Sequence, residues 1–225
     1  AVSGTVIVMD PKTGQILAHA TAPTFDPNNT KSVSPSLMRN PSVQDVYEPG
    51  STGKIMTLAA ALEEKKITPE TVLTVPYAIK RGGDTFHDHE RHPVQHLTTS
   101  GILAVSSNTG TIQIGEMLSN DTLHAYLSKF GIGISTGSGL PGESKGLFRP
   151  VSDWSGTTAP TVAFGQGYSV TAMQATSVFA TIANDGVRVS PTVIAGTSDV
   201  SGKFTASSSR KSERVVSAQL RSNFA

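Results

Sequence analysis

Ser51 and Lys54 are the pair of side chains whose types and spacing could do covalent chemistry. They stand in Glu48-Pro49-Gly50-Ser51-Thr52-Gly53-Lys54, ahead of the apolar, alanine-rich stretch 55–62. The Pro-Gly turn delivers the serine to the first turn of a predicted helix over residues 51–65. Three positions apart on a helix, the two side chains share one face. A hydroxyl there has a base within reach, and unpaired N–H groups and the positive end of the helix dipole favour negative charge developing beside it. A serine nucleophile requires that arrangement. The same residues also read as an N-cap serine and a solvated lysine, because Ser-x-x-Lys occurs by chance in many proteins.

A second segment narrows the choice. Ser106-Ser107-Asn108 lies between predicted helices at about 97–105 and 109–118. Ser-x-Asn some tens of residues after Ser-x-x-Lys is the second signature of penicillin-binding proteins and serine β-lactamases. The chain resembles the transpeptidase domain of class B penicillin-binding proteins, which crosslink peptidoglycan during division or elongation. Asp10-Pro11-Lys12-Thr13-Gly14-Gln15-Ile16-Leu17-Ala18 is similar to that family's opening hairpin, and Pro23 to Asn28 to the loop after it. Leu140-Pro141-Gly142-Glu143-Ser144 and Phe164-Gly165-Gln166-Gly167-Tyr168-Ser169-Val170-Thr171 are further family-like blocks, in the family's order.

The resemblance implies an α/β (α+β) fold, an antiparallel sheet flanked by helices with a helical subdomain, spanning residues 1–225. It also implies an activity. Ser51 would attack a D-Ala-D-Ala stem peptide, Lys54 would take its proton, and Ser106 would relay that proton to the leaving amine. Asn108 would hold Lys54 and bind the acyl amide, and Gly165, Gln166 and Gly167 would border the substrate cleft. β-Lactams would trap the acyl-enzyme. No cofactor and no metal are implied. The partners implied are stem peptides and division or elongation proteins, at the outer face of a bacterial membrane reached through a segment outside this chain.

One triplet points away from this. The family's third signature, Lys-Thr-Gly, occurs here only at Lys12-Thr13-Gly14, before the nucleophile, between two β-type runs. It reads as the turn of a hairpin over residues 4–21. The family's own third motif would fall past Ser217, so the resemblance implies that C-terminal strands are missing from this chain.

Other constellations compete. His87-Asp88-His89-Glu90-Arg91-His92, with His96, holds zinc-ligand residue types, but Pro93 breaks helical spacing and a solvated hairpin is the simpler reading. Gly50 to Lys54 resembles a phosphate loop only in part, since Glu48 and Ile55 stand where glycine and a hydroxyl are needed. Glu143 could be a hydrolytic base, as in a β-lactamase or carboxypeptidase, but its Pro-Gly-Glu-Ser setting reads as a structural loop. A non-catalytic, β-lactam-sensing domain is the remaining alternative.

The remaining features are positional. A formal net charge of +1 without a Lys/Arg cluster argues against a nucleic-acid surface, and the lack of cysteine excludes disulfides. A loop with four prolines runs to Glu48, strand-like residues follow at 71–75, and Gly82-Gly83 marks a turn. Helices are predicted at 121–130, capped by Asp121, and at 171–185, ending at Gly186. Residues 131–150 read as loop and 203–214 as a mobile polar run.

Overall fold

The structure, a computed structural model, describes residues 3–207 and 211–219; within the polar run, Ser208, Ser209 and Arg210 lie outside the described residues. It opens with the expected hairpin, β1 (Gly4–Met9) antiparallel to β2 (Ile16–Ala22). Lys12, Thr13 and Gly14 form its turn. The Asp10 carboxylate accepts from Lys12 N at 2.8 Å, and Gly14 has φ +70° with the Ser190 carbonyl against it. The triplet is a structural corner.

The proline-rich stretch that reads as loop contains a short 3-10 helix and then α1 (Pro41–Gln44), capped by Asn40. Its Val43 carbonyl accepts from Ser144 N at 2.8 Å, which docks the Leu140–Ser144 block.

The central helix starts later than predicted. Residues Gly50–Gly53 form a 3-10 turn, and only Lys54–Glu63 is α-helical, as α2. Met56 to Ala61 are all buried. A helix apolar on nearly every side has to be enclosed. Here α3 (Thr99–Ala104), α4 (Asn108–Gly115) and α5 (Asn120–Lys129) pack around it. Its alanines keep the approach close, and Met56, Leu58, Ile102, Ile114, Leu127 and Phe130 fill the core between the helices.

Between α2 and α3 come β3 (Val72–Val75), β4 (Ala78–Arg81), β5 (Asp84–His87) and β6 (Gln95–Thr98). β4 and β5 are joined by Gly82-Gly83, both at positive φ, the two-residue turn that matches strand twist. β3 pairs with β6. Leu97, assigned to a helix from sequence, lies in β6, and Thr98 caps α3 instead. The cap of α5 is Ser119, whose hydroxyl accepts from Thr122 N at 3.1 Å; Asp121 sits inside the first turn.

After the predicted loop at 131–150 come α6 (Thr158–Ala163) and α7 (Ala172–Ala183). Thr171 and Gln174 form a reciprocal capping box on α7. Gln174 is buried, and its amide nitrogen also reaches the carbonyls of Gly131, Ile134 and Lys145, fastening that loop to the helix. Four short strands follow: β7 (Val187–Val189), β8 (Gly196–Ser198), β9 (Phe204–Ala206) and β10 (Ser212–Arg214). β9 and β10 fall inside the run read as mobile. Among the described residues the strands form five two-stranded antiparallel ladders, with helices packed beside them.

Candidate active site

The Gly50–Gly53 turn that carries Ser51 is clamped from behind. Gly50 N donates to the Gly165 carbonyl at 2.8 Å, and Gly167 N donates to the Glu48 carboxylate at 2.8 Å. Tyr47 and Val170 exchange backbone hydrogen bonds just outside this pair. Gly165 has φ +94°, and a Cβ there would lie 1.8 Å from the Gly50 carbonyl oxygen. Only glycine permits that approach. Ser51 is left exposed, and the 3-10 turn has no side-chain cap hydrogen bond, so the serine is not an N-cap.

Ser106 owes its position to the end of α3. Its N–H donates to the Leu103 carbonyl and that of Ser107 to the Ile102 carbonyl, both at 3.0 Å. This is the Schellman ending, with Ser106 in the left-handed position at φ +57° where glycine is usual. A side chain held there costs about 1 kcal/mol or more, and such residues cluster at functional sites. The next residue, Ser107, at once caps α4, accepting from Gly110 N at 2.9 Å. Asn108 is the first residue of α4. Two helix ends in direct succession thus fix both members of Ser-x-Asn.

Lys54 joins the two motifs. Its side chain is completely buried, and its amine donates to the hydroxyl of Ser106 at 3.0 Å and, in a short contact, to the Ser106 carbonyl. Burial depresses the lysine from 10.5 to about 8, against the pull of the Asp88 carboxylate. At pH 7 roughly a tenth is then neutral, compared with well under a thousandth for a lysine in water.

Ser51, Ser106 and Asn108 line one open cleft of about 760 Å³, together with His87, Arg91 and His92. A smaller recess of about 310 Å³ adjoins it, where Ser51 and Asn108 face Gly50, Phe86, Phe164 and Gln166. Of the Gly165–Gly167 segment, Gln166 reaches the recess, while the two glycines shape the backbone behind it. One expected contact differs. The Asn108 amide donates to the His87 carbonyl at 3.0 Å, which ties it to β5 and not to Lys54.

The histidines of the 87–96 run are dispersed. His87 stacks on Tyr77, His92 meets Asp88, and His96 meets Thr74. Among the described residues no three His, Cys, Asp or Glu side chains converge as a metal-binding group. The 87–96 segment links two different strand pairs and is not itself a hairpin. Glu143 accepts from the backbone and hydroxyl of Thr136 and braces its own loop.

Sequence reasoning met Asp88 only as a possible metal ligand and missed its place at the start of α4. It is only 6% exposed, and its carboxylate accepts from Asn108 N at 2.5 Å, Thr109 N at 2.9 Å and the Ser107 hydroxyl at 2.7 Å, with His92 Nε2 at 3.0 Å. Burial pushes its pKa up, but the hydrogen bonds from Thr109, Ser107, His92 and Asn108 outweigh burial and hold it below the usual carboxylate value. An aspartate beside a Ser-x-Asn turn twenty residues later gives no spacing signal.

A model of the penicillin binding protein transpeptidase domain matches residues 4–222. Penicillin-binding protein PbpB of Mycobacterium tuberculosis is 42% identical over 214 residues, 95% of this chain and 32% of that protein. Peptidoglycan D,D-transpeptidase FtsI of Escherichia coli K12 is 37% identical over 188 residues, 83% of this chain and 31% of that protein. Among solved structures, penicillin binding protein 3 of Mycobacterium tuberculosis complexed with aztreonam superposes with a TM-score of 0.94 at 40% identity, over 99% of this chain and 50% of that one. The chain spans about a third of the length of these curated relatives.

Proposed function

We propose that this chain, which belongs to the penicillin binding protein transpeptidase family, carries the acyl-transfer chemistry of a peptidoglycan D,D-transpeptidase. The observation that carries the reading is Lys54: a fully buried amine of lowered pKa, hydrogen-bonded to Ser106, behind a cleft onto which Ser51 opens. Such an amine suits a general base.

In the proposed reaction the Ser51 oxygen bonds to the carbonyl carbon between two D-alanines. Lys54 takes the hydroxyl proton, and Ser106 passes a proton to the departing nitrogen as the C–N bond breaks. Terminal D-alanine leaves and an ester remains on Ser51. The amine of a second stem peptide then attacks that ester, the C–O bond breaks and the serine recovers its proton. The Asn108 amide, fixed on the His87 carbonyl, presents its oxygen to the substrate. Gln166 borders the recess beside the serine.

The same machinery would serve a β-lactamase or carboxypeptidase if water replaced the amine. Glu143, the carboxylate considered for that role, is engaged with Thr136, which favours transfer over hydrolysis. In this reading the whole protein acts on peptidoglycan at the outer face of the membrane together with division or elongation partners; the relative named as a peptidoglycan D,D-transpeptidase supports the substrate. No helix among the described residues is long and apolar enough to cross a membrane.

Penicillin tests the reading in the full-length protein. β-Lactam opening expels no leaving group, so intact-mass spectrometry should find the protein heavier by one whole penicillin, stable over hours. An adduct that appears and decays quickly would mean a hydrolase. No adduct would leave a binding domain without acyl transfer.

A further inference from the structure

The four N–H groups at the start of α4 have no partners within the helix and must be satisfied from outside. The accounting closes here. Ser107 N donates to the Ile102 carbonyl, Asn108 N and Thr109 N donate to one carboxylate oxygen of Asp88, and Gly110 N donates to the Ser107 hydroxyl. The other Asp88 oxygen accepts the Ser107 hydroxyl at 2.7 Å. A carboxylate also suits the positive end of the helix. The strand β5 delivers Asp88 to this point, and its backbone N–H is held by the Tyr77 carbonyl at 3.0 Å.

We propose that Asp88, acting through Ser107, is the positioning residue of the acyl-transfer site: it clamps the left-handed Ser106 turn from below and sets a carboxylate one residue from the serine to which Lys54 donates. The inference rests on the transpeptidase reading and assigns a role to the middle residue of Ser-x-Asn, which touches no substrate. Ser107 is 1% exposed, so its hydroxyl serves the scaffold and not the cleft. Two jobs meet in one carboxylate. Loss of its hydrogen bonds would let the Ser106 hydroxyl drift, and a displacement of about 1 Å is enough to cost about 100-fold in rate. Loss of its charge would leave the lysine easier to deprotonate, because Asp88 is the charge that raises its proton affinity. The other titratable or charged groups along this wall are His87, His89, Glu90, Arg91 and His92. Of these, His92 is paired to Asp88 itself.

The experiment measures the second-order rate of acylation by fluorescent penicillin against pH in the full-length protein. It compares wild type with Asp88→Asn, Ser107→Ala and Ser107→Thr. Asn at 88 retains an oxygen for the two amides but loses the charge. The expected result is a maximum rate lowered about 10- to 100-fold, with the rising limb of the profile moved to lower pH. Ser107→Ala should lose several-fold and Ser107→Thr, which keeps the hydroxyl, should recover most of it. A purely structural role would lower the amount of active protein without moving the limb. A folded Asp88→Asn protein with the wild-type limb position overturns the proposal, and so does a Ser107→Ala protein at wild-type rate. If Asp88→Asn does not fold, the two Ser107 variants decide the matter alone. Wild-type protein that takes no penicillin at all overturns the transpeptidase reading and this inference together.

Discussion

Ser51→Ala is expected to reduce acylation by penicillin by on the order of a millionfold, to the limit of detection, while leaving the fold intact. The asymmetry follows from where the hydroxyl stands. Ser51 is exposed on a 3-10 turn, caps nothing, and opens onto the cleft shared with Ser106 and Asn108. Removing a solvated oxygen changes stability by about 0.5 kcal/mol at most. Removing a nucleophile removes the reaction. Intact-mass spectrometry with excess penicillin, beside a thermal melt of the same sample, separates the two effects. A full-mass adduct formed at wild-type rate would transfer the role to another residue, with Ser106 the first to examine.

Lys54→Arg is expected to be nearly as inactive as Lys54→Ala, with acylation down roughly 10²- to 10⁴-fold in both. Arginine keeps the positive charge but is never deprotonated at working pH, so it cannot take a proton. The wild-type pH profile carries the matching signature. If the neutral amine is the active form, the rate rises with pH and levels off above about 8, the value that burial imposes on this lysine. Protonation as pH falls removes the base, so the limb rises and does not fall. The arginine variant should lack that limb. Near-normal acylation by Lys54→Arg would mean that the lysine acts as a fixed charge.

The residues that touch the cleft were largely legible, and the supports behind them were not. Ser51 and Lys54 stood out by their spacing at a helix start, and Ser106 and Asn108 through the resemblance of Ser-x-Asn to the family's second signature. Asp88 did not, since its partners are backbone N–H groups whose direction only the folded chain reveals. Ser106 was read as a reactive hydroxyl, but nothing in Val-Ser-Ser-Asn signals a serine in glycine's place at a helix end. Leu97 failed for another reason: an apolar run of a few residues fits a short strand as well as a helix start. The three-residue strands β7 to β10 are too short to show alternation, and their polar, serine-rich surroundings favour a loop reading. The Gly50–Gly165 approach was half visible, as a Gly-x-Gly segment expected to border the cleft, with no hint of the carbonyl it rests against.

The burial of Lys54 also sets a thermodynamic burden on the whole domain. A free lysine holds its proton to 10.5 and this one to about 8. Each tenfold change in proton affinity is worth about 1.4 kcal/mol, so at neutral pH the fold carries a charged amine at a cost on the order of 3 kcal/mol. The cost is complete below pH 8, where folded and unfolded chains are both protonated. It fades between 8 and 10.5, because there the unfolded chain binds the proton that the folded chain has released. This group alone therefore makes the domain more stable as the medium turns alkaline. Set against a typical net stability of about 5–15 kcal/mol, that is a large sacrifice for one side chain. A methionine of similar length at position 54 would relieve much of it, giving a sturdier protein with no amine to share a proton. If the site performs the proposed acyl transfer, it is kept reactive at the expense of the scaffold that holds it, a conflict between durability and chemistry settled in favour of chemistry.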